Sequence, residues 1–138
     1  MSFEEKGVWI YGVLVTIVSG AYFGYVLNQA RTTNVADIAY QIPLLISIGA
    51  VIVLTIVGQI VAAIVTRDCG KTDQRDKEID RHGELHGYYV LSAAFGLVLL
   101  MTMLKVEYFW IANAMYLGGV LGTLASSVVK IVAYRRGF

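Results

Sequence analysis

The sequence predicts an all-α membrane protein, a four-transmembrane-helix bundle of up-down-up-down topology with a cytoplasmic helical extension before the third helix. The 138 residues are 57% hydrophobic and only 15% charged, with a mean hydropathy of +0.66. Soluble domains average about 45–50% apolar and about 25% charged residues. More than half of the charged residues fall between Arg67 and Glu84, which leaves long uncharged stretches elsewhere. This distribution excludes a soluble enzyme, a nucleic-acid-binding module and a disulfide-bonded scaffold.

Four uncharged stretches are long enough to cross a hydrocarbon core of about 30 Å as helices, which takes roughly 20 residues. They are apolar on every face, whereas a membrane β-barrel would show short alternating segments. A proline, Pro43, falls in the first turn of the second span, where its missing N–H costs nothing. Only three residues separate the third and fourth spans, so these two helices should form a tight hairpin. The predicted spans are Val8–Leu27, Pro43–Thr66, Gly87–Leu104 and Phe109–Ala133.

The distribution of Lys and Arg predicts the orientation. With four spans, both termini and the central loop, residues 67–86, share one side of the membrane. That side carries nine of the eleven Lys and Arg residues, and the opposite side carries only Arg31 and Lys105. Because cytoplasmic loops are enriched in basic residues, both termini are predicted to be cytoplasmic. The single cysteine, Cys69, then lies in a reducing compartment and is interpreted as an ordinary loop residue.

Small residues at four-residue spacing mark candidate helix contacts. Lipid offers no hydrophobic drive for helix association, so close backbone approach at small residues takes its place. The first span contains Gly20 and Gly24, and the fourth contains Gly118, Gly122 and Ser126. We expect both stripes to pack helices within the chain, with homodimerisation as the alternative.

The segment before the third span concentrates the charges. Thr72 or Asp73 can cap a helix there, which we expect to run on into the third span with a bend near Gly83. Three acids, Asp76, Asp80 and Glu84, then lie four residues apart on one face, beside a basic stripe that includes Arg81. The fourth span ends on the same side of the membrane, with Arg135 and Arg136. The hairpin predicts that the three acids pair with these two arginines; the alternative is that the arginines bind anionic lipid headgroups.

These charged motifs carry a resemblance. Asp73-Gln-Arg-Asp-Lys-Glu-Ile-Asp-Arg-His-Gly, the apolar span after it and the closing Tyr-Arg-Arg-Gly-Phe resemble a family of small four-span bacterial inner-membrane proteins of unknown function. The resemblance covers Asp73–Phe138, and Gln74 stands where the family usually has Glu. It implies the same four-span fold and gives weight to the two motifs, but it implies no reaction. Genes of that family often lie beside one for a small helix-turn-helix regulator.

A weak candidate metal site lies on the same predicted helix. Glu78, His82 and His86 are spaced four residues apart, and two histidines at that spacing can hold a metal ion. Their order differs from the His-Glu-x-x-His of zinc proteases, and Gly83 weakens the helix between them. The alternative is a pair of histidines at the membrane interface that bind no metal. No cofactor is predicted, because the sequence lacks phosphate-binding loops, dinucleotide glycines and catalytic triads.

The functional prediction follows from what the spans contain. No Asp, Glu, Lys or Arg lies at the middle of a predicted span, where pumps and coupled transporters usually keep one. We therefore predict a non-enzymatic protein that binds a cytoplasmic protein partner, as an accessory or regulatory subunit or as a sensor. The first alternative is a small oligomeric transporter or channel, and the second is a membrane enzyme acting on lipid. Expected partners are membrane lipids, a second copy or a larger membrane complex, and that cytoplasmic protein, but no nucleic acid.

Overall fold

The computed structural model describes residues 3–66 and 73–136. This part of the chain contains four long helices and no strand: α1 (Phe3–Thr32), α2 (Gln41–Thr66), α3 (Gln74–Met103) and α4 (Tyr108–Arg136). One turn of 3-10 helix, Val35–Asp37, lies between α1 and α2. All four helices are long and apolar enough to cross a membrane. The prediction on Cys69 and the loop residues 67–72 lies outside the described residues.

The helices pack in the order α2, α1, α4, α3, so that α1 and α4 are the two central helices. Neighbours run antiparallel: Tyr22 near the end of α1 contacts Asn113 near the start of α4, and Gly12 lies opposite Ser127. None of the most apolar stretch of α2 or α3 is buried within the chain. The two outer helices therefore present most of their apolar side chains outward, which is typical of helices that contact lipid.

The stripe of small residues on α4 packs against α3. A Cβ added to Gly118 would overlap the Cβ of Ala94, and one added to Gly122 would lie 3.1 Å from the carbonyl oxygen of Gly87. On the α3 side, a Cβ on Gly87 would lie 2.9 Å from the carbonyl oxygen of Gly122 and 3.1 Å from the Cβ of Ser126. The two backbones approach so closely only because these positions lack side chains.

Gly20 and Gly24 differ from the prediction. Nothing lies within 4 Å of a Cβ added at either position, and both residues are exposed. The face of α1 that packs within the chain instead carries the buried residues Val15, Ser19, Tyr22 and Val26. At 100° per residue the glycine pair lies nearly opposite this buried face, so packing inside the chain does not explain it.

The buried apolar core lies at the opposite end from the charged segment. It comprises Tyr22, Val26, Ile38 and Phe109, and the connection between α1 and α2 folds over it. Ile38 thereby closes the end of the α1–α4 contact. Phe109, the first residue of the predicted fourth span, is only 3% exposed because this connection covers it.

The hairpin between α3 and α4 closes with a Schellman motif. The N–H of Val106 donates to the carbonyl of Met101, and the N–H of Lys105 donates to the carbonyl of Thr102. Lys105 takes the left-handed conformation, with a φ of 56°, at the position where glycine is usual. The tight turn brings α3 and α4 side by side immediately, which fixes their register over the whole hairpin.

Candidate interaction site at the charged end

The charged segment forms the first part of α3 and begins with a full capping box. The Asp73 side chain accepts from the N–H of Asp76, and the N–H of Asp73 donates to Asp76 Oδ2 at 3.3 Å. The N–H of Gln74 also donates to Asp73 Oδ1, at 2.7 Å. Such reciprocal bonds satisfy N–H groups that a helix otherwise leaves without a partner. From there α3 is one continuous helix through Gly83 into the predicted span. At about 1.5 Å per residue its 30 residues extend over about 45 Å, well beyond a hydrocarbon core of about 30 Å.

One face of this segment is held on α4. Ile79 is fully buried, and Gly83 lies so close to α4 that an added Cβ would lie 3.0 Å from the carbonyl oxygen of Ser126. The stem of Lys130 crosses Gly83, and its ammonium forms an ion pair with Asp80. An apolar stem that covers a surface while its charged end reaches a carboxylate is the usual arrangement of a partly buried lysine. These contacts position the segment along the C-terminal part of α4.

The three acids of the predicted stripe have three different surroundings. Asp76 caps α3, and Asp80 pairs with Lys130. Glu84 is exposed and lines a groove beside Lys130. The three acids therefore make different contacts along the helix instead of pairing with one cluster of basic residues.

The predicted pairing with the tail arginines is not present. Among residues 3–66 and 73–136 the structure has no ion pair that joins Asp76, Asp80 or Glu84 to Arg135 or Arg136. The reason is the helical angle: at 100° per residue, Arg135 lies about 140° around α4 from Lys130, so it faces α1 instead of α3. Its guanidinium lies 5.8 Å from the ring centre of Trp9, within cation–π range. The basic residue that meets α3 is Lys130.

The face of α3 turned away from α4 carries an exposed stripe at helical spacing. This outward stripe consists of Gln74, Glu78, Arg81 and Leu85, all exposed. It lies opposite the face that carries Ile79, Gly83 and Gly87, all buried. The outward stripe thus presents one acidic, one basic and one apolar side chain on a helix that α4 holds from behind.

The rings of His82 and His86 lie beside each other on α3. The ring centres of His82 and His86 are 4.7 Å apart, and Nδ1 of His86 lies 2.9 Å from the backbone oxygen of His82. The described part of the chain contains no group of three His, Cys, Asp or Glu side chains placed to hold a metal ion. Glu78 therefore does not complete a metal-ligand set with the two rings in this arrangement.

The chain was compared with known proteins at three levels. No protein-family model, curated protein or solved structure matches it. The resemblance of Asp73–Phe138 to small four-span bacterial proteins therefore remains a prediction, and the case for function stands on the residues themselves.

Sequence reasoning did not single out Lys130 as the partner of α3. A signal was present: Lys130 continues the spacing of Gly118, Gly122 and Ser126, so it lies on the same face of α4. Once that stripe is assigned to the α3 contact, the first basic residue after it becomes the natural partner for an acid near the start of α3.

Proposed function

We propose that this protein lies in a bacterial inner membrane with both termini in the cytoplasm. It acts there as a non-enzymatic subunit that binds a cytoplasmic protein partner. The observation that carries the proposal is the first part of α3. Its inner face is held on α4 by Ile79, Gly83 and the Asp80–Lys130 pair, while the outward stripe is exposed. Holding a charged helix in one position lowers the entropic cost of binding a partner.

The proposed orientation in the membrane is supported by the basic residues at the end that carries the first part of α3. The described basic residues near it are Lys6, Arg75, Lys77, Arg81, Lys130, Arg135 and Arg136. The other end carries only Arg31 and Lys105. By the positive-inside rule the outward stripe faces the cytoplasm, where regulators and soluble enzyme subunits are available.

The partner should carry an acidic group opposite Arg81, since arginine is the outward stripe's basic residue and favours planar pairing with carboxylates. We expect a photoreactive residue in place of Gln74 to form one discrete adduct with another protein in intact cells. In the same chain, Arg81→Glu should reduce the yield of that adduct at least about tenfold. A negative charge placed opposite the partner's acidic group costs more than about 1.4 kcal/mol of binding free energy, which corresponds to a factor of ten. The matched control is Lys105→Glu, an exposed charge at the opposite end.

The measurement is the yield and mass of the adduct after irradiation, by immunoblot and mass spectrometry. An adduct with a second copy of this 15.1 kDa chain would favour the oligomeric transporter or channel over the proposed subunit. Absence of any protein adduct, or an adduct unchanged by Arg81→Glu, would contradict the docking function of the outward stripe.

A further inference from the structure

Two grooves meet on one face of α4. The first, which we call the head groove, lies between α1, α3 and α4 and encloses about 270 Å³. The second, the tail groove, lies between α1, α2 and α4 and encloses about 520 Å³. Tyr11, Gly119 and Thr123 line both grooves, so the two grooves adjoin at these residues.

The head groove carries side chains of both charge signs. Glu84 of α3 and Lys130 of α4 both line it, together with Ser126 and Ser127 of α4. The Lys130 side chain is only 13% exposed and pairs with Asp80. An ammonium has three N–H donors, so this pair leaves donors for a second acceptor. The head groove can therefore receive an anionic and a cationic group at the same time.

The tail groove is apolar and runs away from the charged end. Its α2 wall extends from Leu44 to Ile52, about 12 Å at 1.5 Å per residue. Nothing lies within 4 Å of a Cβ added to Gly119, so the floor at the junction of the grooves is open. A groove of this length and lining fits part of an acyl chain.

We infer that the head groove and the tail groove together bind one phospholipid with an amine-bearing zwitterionic headgroup, phosphatidylethanolamine. Its phosphate accepts from Lys130 and the neighbouring hydroxyls, its ammonium donates to Glu84, and an acyl chain lies in the tail groove. The inference rests on the membrane insertion proposed above, but not on the protein partner.

The charges select among headgroups. Two acids, Asp80 and Glu84, accompany a single cation, Lys130, so a second positive charge from the ligand completes the balance. An anionic headgroup such as phosphatidylglycerol would leave Glu84 without a cation and add a further negative charge. Phosphatidylcholine carries a positive charge but has no N–H to donate to the carboxylate. Charge-assisted hydrogen bonds of that kind are stronger than neutral ones.

The test uses the full chain in nanodiscs that contain equal amounts of phosphatidylethanolamine, phosphatidylglycerol and phosphatidylcholine, followed by native mass spectrometry. We expect one retained phosphatidylethanolamine, at about tenfold over either other lipid, the factor that one hydrogen bond to a charged group supplies. Glu84→Gln should bring phosphatidylethanolamine to the level of phosphatidylcholine. The matched control, Glu107→Gln, changes an exposed glutamate at the other end and should leave the preference intact.

A second pair of variants tests the position of the lipid without changing any charge. Gly119→Leu fills the open junction of the two grooves, whereas Gly96→Leu adds the same side chain at an exposed glycine of α3 that lines neither groove. We expect the first variant to lose the retained lipid and the second to keep it.

Equal retention of the three lipids, a preference for phosphatidylglycerol, or a preference that survives both Glu84→Gln and Gly119→Leu would overturn the inference. These outcomes differ from failure of the proposed insertion. In that case the protein would not be recovered in the membrane fraction, and no nanodisc preparation would contain it.

Discussion

Gly87→Leu is expected to separate α3 from α4 and to lower the free energy of unfolding by about 3 kcal/mol or more, the upper range for an overpacked contact. A Cβ at this position would lie 2.9 Å from the carbonyl oxygen of Gly122. Backbone cannot rotate away as a flexible side chain can, so the helices must move apart. The apposed pair of Gly122 and Ser126 would then lose its contact with α3, and the Asp80–Lys130 pair would lose its alignment.

The measurement is the unfolding of the purified chain in mixed micelles with increasing denaturing detergent, followed by far-UV circular dichroism. The matched control is Gly96→Leu on the same helix, where an added Cβ meets nothing within 4 Å. The control should stay within about 0.5 kcal/mol of the original chain, as surface substitutions usually do. Equal destabilisation by both variants would contradict the close α3–α4 packing.

Asn113→Ala is expected to lower the free energy of unfolding by about 1–3 kcal/mol, the cost of a buried polar group left without its partner. Asn113 is 8% exposed and links α4 to α1, because the Tyr22 hydroxyl donates to its Oδ1 at 2.8 Å. Its Nδ2 donates to the carbonyl of Phe109 at 2.7 Å within α4. Without the amide, the Tyr22 hydroxyl loses its acceptor and remains buried among aromatic rings.

A double-mutant cycle with Tyr22→Phe separates this hydrogen bond from the loss of packing. The double variant should be less destabilised than the sum of the two single variants, because each alone already breaks the bond. Asn28→Ala, at an exposed position of α1, is the control and should have little effect. Strictly additive single effects would show that the bond does not hold α1 and α4 together.

The sequence predicted the four helices because apolar runs of about 20 residues bounded by charges have few other structures available to them. It also placed the small stripe of Gly118, Gly122 and Ser126 on one face of α4. It did not predict which helix that face meets, and by the same rule it assigned a packing role to Gly20 and Gly24, which are exposed. Spacing identifies a face, but only the packing order shows whether a neighbour lies against it.

The structure of the charged end could likewise be predicted only in part from the sequence. The sequence narrowed the cap of α3 to Thr72 or Asp73 and identified the acids after it, since capping and helix-dipole effects are local. The choice of Lys130 over the tail arginines depends on the rotation of α4 against α3, which the glycine contacts fix. Nor could sequence reveal the two joined grooves, because their walls come from all four helices.

Cysteine accessibility in intact cells tests most directly the central claim that the charged end of a four-span protein faces the cytoplasm. With Cys69 replaced by Ser, single cysteines are placed at Thr33 and Gln74, which are both exposed and lie at opposite ends of the helices. We expect an impermeant maleimide to label Thr33→Cys in intact cells and to label Gln74→Cys only after the membrane is permeabilised. Labelling of Gln74→Cys in intact cells, with Thr33→Cys protected, would contradict this claim.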